Sequence, residues 1–99
     1  MMDLDFTRTA LEEYNDCVNY VEKNFSEKRA FEFVLEMDYN FDLICKNPNT
    51  FPMSDYKDIR YVVVMKPITI FYRVIDNKTV QIVNVWNNRK DKNDSKIKR

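Results

Sequence analysis

The sequence predicts an α+β domain of order β-α-α-β-β-β, with a helical hairpin packed on one face of a four-stranded antiparallel sheet. Three observations carry this. The apolar period is 3.6 before about residue 47 and 2 after about residue 58. Pro48 and Pro52 separate the two regimes, where no helix can continue. The later apolar runs are joined by connections short enough to force antiparallel neighbours.

Met2-Asp3-Leu4-Asp5-Phe6 alternates apolar and acidic residues, as a short strand does. Thr7 or Thr9 can cap the helix that follows. Ala10, Leu11, Tyr14, Cys17, Val18 and Val21 form its apolar stripe. Asn24-Phe25-Ser26 interrupts the rhythm, and Ser26 can cap a second helix with Glu27 in its first turn. That helix carries Ala30, Phe33, Val34, Met37, Phe41 and Ile44, with Phe31 and Leu35 widening the stripe. So short a connection makes the helices antiparallel. Phe25, Phe31, Phe33, Phe41 and Phe51 are expected to serve core or hairpin packing.

Beyond the prolines, strands are expected over about 58–65, 68–75 and 79–86. Lys66-Pro67 makes the first turn and Asp76-Asn77-Lys78 the second. In the middle strand Ile68, Ile70, Tyr72 and Val74 share one face, and Thr69, Phe71, Arg73 and Ile75 the other. Arg73 is therefore expected away from the helices. The last strand has two competing apolar sets, Val80/Ile82/Trp86 and Val83/Val85, and its register stays open. Residues 1–90 read as one domain, with 91–99 a polar, frayed tail.

Composition narrows the chemistry. The 99 residues contain no histidine and no glycine, which removes Ser-His-Asp and Cys-His catalysis, Walker-type loops and dinucleotide fingerprints. Two cysteines cannot build a Cys₄ zinc site. Placed on opposite arms of the hairpin, Cys17 and Cys45 are offset by roughly 18 Å, beyond disulfide reach, and are expected as buried reduced thiols. No metal or cofactor is expected. No apolar run reaches membrane length and the N-terminus is acidic, so the expectation is a cytoplasmic protein without membrane contact. The net charge is zero, yet residues 1–45 carry −7 and residues 46–99 carry +7. A basic face attracts polyanions, so the second half is the place to expect a nucleic-acid-facing surface.

Several motifs then fall in a telling order. Phe6-Thr7 precedes Ala10 and Leu11, and Tyr20-Val21 closes the first helix. Ser26-Glu27-Lys28-Arg29-Ala30-Phe31-Glu32-Phe33 opens the second, and Asn47-Pro48 stands four residues before Pro52. Ile59-Arg60, Ile70-Phe71-Tyr72-Arg73-Val74 and Val85-Trp86-Asn87-Asn88-Arg89 mark the three later strands. From about residue 4 to 90 the chain resembles the RelE/ParE superfamily of bacterial type II toxins.

The resemblance implies growth arrest by one of two mechanisms, with neutralisation by a cognate antitoxin and operator DNA binding only through the antitoxin complex. RelE-like members cut mRNA on the ribosome, and ParE-like members inhibit DNA gyrase. A metal-independent ribonuclease without histidine would draw on Lys57, Arg60, Lys66, Arg73 and Arg89, with Tyr61 or Tyr72 stacking or transferring protons. No tyrosine follows Arg89 as RelE-like enzymes often have it. The long hairpin, Ile59-Arg60 and Phe71-Tyr72-Arg73 look more ParE-like. For a gyrase inhibitor the target-binding candidates are Arg60, Lys66, Arg73, Arg89 and Trp86. Trp86 either packs on the sheet or stacks on a base or an antitoxin side chain. An inactive homologue that only binds antitoxin or DNA is the third reading.

Overall fold

The computed structural model describes residues 1–65 and 68–87. The elements are β1 (Asp3–Phe6), α1 (Arg8–Asn24), α2 (Glu27–Lys46), β2 (Arg60–Met65), β3 (Ile68–Val74) and β4 (Thr79–Asn87). The order is the expected one. Lys66, Arg89 and the tail expected over 91–99 lie outside the described residues.

Local chemistry explains the helix ends. Thr7, not Thr9, caps α1: its Oγ1 accepts from the Ala10 N–H at 3.0 Å. Ser26 caps α2 in the same way, accepting from the Arg29 N–H at 3.0 Å. Asp76 closes the β3–β4 turn, where its Oδ1 accepts from Lys78 N–H and Thr79 N–H, each at 2.8 Å.

The sheet corrects one expectation. Its order is β1-β4-β3-β2, and β1 pairs with β4 in parallel, so it is mixed, not wholly antiparallel. The cause lies in how β1 leaves the sheet. The chain does not reverse at Thr7 but runs on into α1, which climbs beside β4: Thr7 N–H donates to Ile82 O at 3.0 Å, and Glu13 accepts from Val85 N–H at 2.8 Å. α2 then returns to the start, where Met2 N–H donates to Cys45 O at 3.1 Å. The strands β2, β3 and β4 alternate in direction, so β4 points the same way as β1. The hairpin carries the chain from β1 towards β2, and together with β2 and β3 it forms the long connection that the parallel pair β1–β4 requires.

The open register of β4 is resolved by a bulge. Phe71 pairs with Asn84 but Tyr72 with Ile82, leaving Val83 as the extra residue. Val80 and Ile82 face the core before it and Val85 after it, so both apolar sets contribute. α1 secures the bulge. Thr7 Oγ1 donates to Val83 O at 3.0 Å, and Glu13 Oε1 also accepts from Asn84 Nδ2 at 3.1 Å.

The core lies between the hairpin and one sheet face. Ala10, Cys17, Phe33, Met37, Phe41 and Ile44 meet Val62, Ile68, Ile70, Tyr72, Val80, Ile82 and Val85 there. The helical stripes are narrower than expected. Leu11, Phe25, Phe31 and Leu35 are exposed. At 100° per residue, Phe31 points roughly 130° and Leu35 roughly 170° from the Met37–Ile44 line, along which α2 is buried. Cys17 and Cys45 are buried and not joined by a disulfide, and burial pushes the Cys45 thiol up, away from the reactive thiolate.

Candidate functional site: an arginine groove beside a strapped loop

The segment from Asn47 to Ile59 must cross from α2 to the outer edge of the sheet without regular structure. Two side chains hold it. Tyr72, fully buried in β3, donates its hydroxyl to Pro48 O at 2.6 Å, and its ring meets Phe51 edge-on at 6.3 Å. Arg60 opens β2 directly opposite Tyr72 and donates Nη1 to Phe51 O at 2.6 Å. Burial drives the Tyr72 hydroxyl up to about 12 against the smaller opposing pull of the Arg60 charge. At neutral pH it is a fixed hydrogen-bond donor.

The segment ends in a compact turn. Ser54 Oγ donates to Ile59 O at 2.7 Å and accepts from Tyr56 N–H at 3.1 Å. Ser54 N–H donates to the same Ile59 carbonyl at 2.8 Å. Closing the turn places Asp58 at φ 65°, a left-handed conformation that a chain without glycine must give to another residue. Aspartate and asparagine tolerate it best.

This framework shapes an open groove of about 520 Å³ lined by Asn49, Met53, Asp58, Arg60, Arg73, Val74 and Ile75. Of the candidates read from sequence, Arg60 and Arg73 are brought together here. Arg73 is exposed on the sheet face away from the helices, as expected. Its Nε donates to Gln81 Oε1 at 2.9 Å, and Gln81 Nε2 donates to Asp5 Oδ2 at 3.2 Å. This chain of polar contacts crosses β3, β4 and β1 and orients the guanidinium.

The other candidates are scattered. Lys57 is exposed in the turn but does not line the groove. Tyr61 tilts against Phe71 at 6.3 Å, on a second, smaller groove that includes Val63 and Thr69. Trp86 pairs in register with Thr69 and is only 7% exposed, so packing is its observed role. Lys66 and Arg89 fall outside the described residues. Asn49 and Asp58 were not anticipated; the absence of glycine beside a turn that needs a left-handed residue was the available signal for Asp58. No group of three His, Cys, Asp or Glu side chains suited to a metal ion occurs among the described residues.

The arrangement suits binding. Arg73, exposed on the outer sheet face, can hold a carboxylate or phosphate through forked hydrogen bonds, while Arg60 lines the same groove from the Tyr72 face and is partly committed to Phe51 O.

Solved structures share this architecture at low sequence identity. The chromosomal ParDE toxin–antitoxin system of P. aeruginosa contains a chain that superposes with a TM-score of 0.74 at 19% identity, covering 88% of this chain and 96% of that one. A chain of the E. coli DinJ-YafQ complex superposes with a TM-score of 0.58 at 13% identity, covering 92% and 98%. YafQ from E. coli strain BL21(DE3) gives 0.57 at 13%, covering 91% and 97%. No curated protein sequence matches the chain. The family model described as the ParE toxin of the type II toxin-antitoxin system parDE matches residues 4–92. With nearly the whole domain matched and the fold shared, the chain belongs to the ParE toxin family of type II toxin–antitoxin systems.

Proposed function

We propose that the chain arrests growth in the cytoplasm by binding DNA gyrase, and that a cognate antitoxin neutralises it by covering the Arg60–Arg73 groove. The observation that supports a binding role over a catalytic one is the state of Tyr72 and Arg60. A ribonuclease needs a base for the ribose 2′-OH and an acid for the leaving oxygen within reach of one phosphate. Tyr72 is buried, bonded to Pro48 O and raised to about 12, and Arg60 is partly spent on Phe51 O. An inhibitor needs only a surface, and Arg73 with the free capacity of Arg60 provides an anionic partner's anchor. Lys66 and Arg89 extend this proposed target-binding set, with operator DNA engaged only through the antitoxin complex.

One observation favours a ribosome-dependent mRNA endonuclease as the second reading. Tyr61 and Phe71 lie on the same sheet face as Arg73, and such a pair can stack on unpaired bases. Purified chain added to a gyrase supercoiling assay and to ribosomes carrying mRNA separates the readings. Loss of supercoiling without mRNA cleavage supports the gyrase reading, cleavage supports the second, and neither effect assigns an inactive homologue.

A further inference from the structure

The polarity of α2 is inverted along one line. Phe31, Leu35 and Tyr39 stand at i, i+4 and i+8, and remain 64%, 52% and 60% exposed. On the opposite side Asn40 is 8% exposed and has to donate Nδ2 to Glu36 O, at 2.9 Å, to be satisfied. Lysine, glutamate or glutamine would serve the outer positions equally well for helix formation. The stripe leaves roughly 350 Å² of side-chain surface open, taking about 200 Å² for a full aromatic side chain. The largest apolar patch on a small protein is about this size and is often functional.

Charge identifies the occupant. Glu32 and Glu36 border the stripe on one side, Asp38 and Asp42 on the other, and all four are exposed. Arg29 reaches Glu32 only at 3.8 Å, across solvent. A second copy would set these acidic borders against each other. The stripe also supplies less than half of the ~800 Å² per partner that a stable dimer buries. An anionic lipid surface would be repelled. A single helix laid along α2 fits the size, since Phe31 to Tyr39 spans about 12 Å.

We infer that the outer face of α2 docks a basic amphipathic helix of a partner protein. Its aliphatic stripe packs on Phe31, Leu35 and Tyr39, and its lysines or arginines meet the two acidic borders. This surface is distinct from the arginine groove, whose partner segment must be acidic, and it does not depend on whether gyrase or the ribosome is the target.

The test uses the full chain and a designed, fluorescein-labelled helix of about 18 residues with a leucine stripe flanked by lysines. A matched peptide carries glutamate in place of lysine. Anisotropy at physiological salt should show saturable 1:1 binding of the lysine peptide and at least tenfold weaker binding of the glutamate peptide, about the loss expected when flanking charges clash. Phe31→Gln/Leu35→Gln should lose about tenfold or more with an unchanged circular dichroism spectrum. Glu32→Gln/Asp38→Gln should weaken binding and flatten its salt dependence. No binding of the lysine peptide overturns the inference. So does binding indifferent to Phe31→Gln/Leu35→Gln, which is mere attraction to an acidic protein. A dimer seen by light scattering and dissolved by Leu35→Gln also overturns it, making a second copy the occupant.

Discussion

Tyr72 ties stability to alkaline pH in a way that can be calculated. Its hydroxyl is held neutral in the fold with a pKa of about 12, against 10.0 for an ordinary tyrosine. A group whose folded pKa is raised contributes fully below its unfolded pKa and loses that contribution as pH rises through the folded one. The window is therefore pH 10 to 12: the unfolded chain gives up its proton there while the native chain keeps it. The loss is about 1 kcal/mol at pH 11 and about 2 kcal/mol at pH 12. Because Tyr72 is fully buried, no reduction for solvent screening applies. Tyr72→Phe removes both this dependence and the hydrogen bond to Pro48 O, the latter worth about 1 kcal/mol. The variant should be less stable than wild type by about 1 kcal/mol at pH 8 and lose that deficit as pH rises, the curves converging or crossing near pH 11. Urea unfolding followed by fluorescence of Trp86, the single tryptophan, measures both curves, and absorbance at the tyrosinate band reports the ionisation itself. Tyr14, also raised to about 12 by burial with help from the Asp38 charge, gives a shared background slope that cancels in the difference. Parallel curves from pH 8 to 11.5 would refute the assignment of Tyr72 as a buried neutral strap.

Four further outcomes follow from the same geometry. Glu13→Ala leaves the Val85 N–H at the β4 bulge without its acceptor and should cost about 1–3 kcal/mol in urea unfolding, with Glu13→Gln costing less. Arg73→Ala should weaken target inhibition by about 1–4 kcal/mol of interface energy while shifting the urea midpoint little, because Arg73 is exposed. The triple variant Arg60→Ala/Arg73→Ala/Arg89→Ala should abolish toxicity in an induced culture; growth arrest equal to wild type from a folded variant would move the site to the hairpin. Expression of the chain alone should arrest bacterial growth, and co-expression of the adjacent gene should restore it, scored as colony counts after induction.

Much of the fold was legible because its signals are local. The period change and the two prolines place the helices and strands. The caps at Thr7 and Ser26 are written in residue type. What local signals cannot carry is the direction of β1 and the register of β4. Both are set by contacts between residues more than 70 positions apart, such as Thr7 with Val83 and Glu13 with Val85. The β4 bulge has the same origin. Two overlapping apolar sets looked contradictory in sequence because a period of 2 admits no extra residue, and Val83 is one. Phe31 and Leu35 misled for a different reason. Apolar residues at helical spacing predict a core face, but helical geometry puts these two on the far side.

The candidate site was legible in residue type and less so in duty. Arg60 and Tyr72 sit in motifs that resemble the toxin superfamily, and both type and spacing invited a role in chemistry. In the fold they grip the backbone carbonyls of Phe51 and Pro48, so the Asn47-Pro48 and Phe51-Pro52 pairs form one device with the strands that hold them. Retaining all four together is a packing requirement before it is a functional one. Of the +7 carried after residue 45, more than half belongs to residues 88–99, beyond the described strands. The described part of that half is therefore only modestly basic, and a nucleic-acid reading cannot rest on a broad electrostatic field. It has to rest on a few placed guanidinium groups. Arg73 is the one whose exposure and orientation by Gln81 leave it available, which is why its single substitution, not the net charge, is the sharper probe of what this toxin binds.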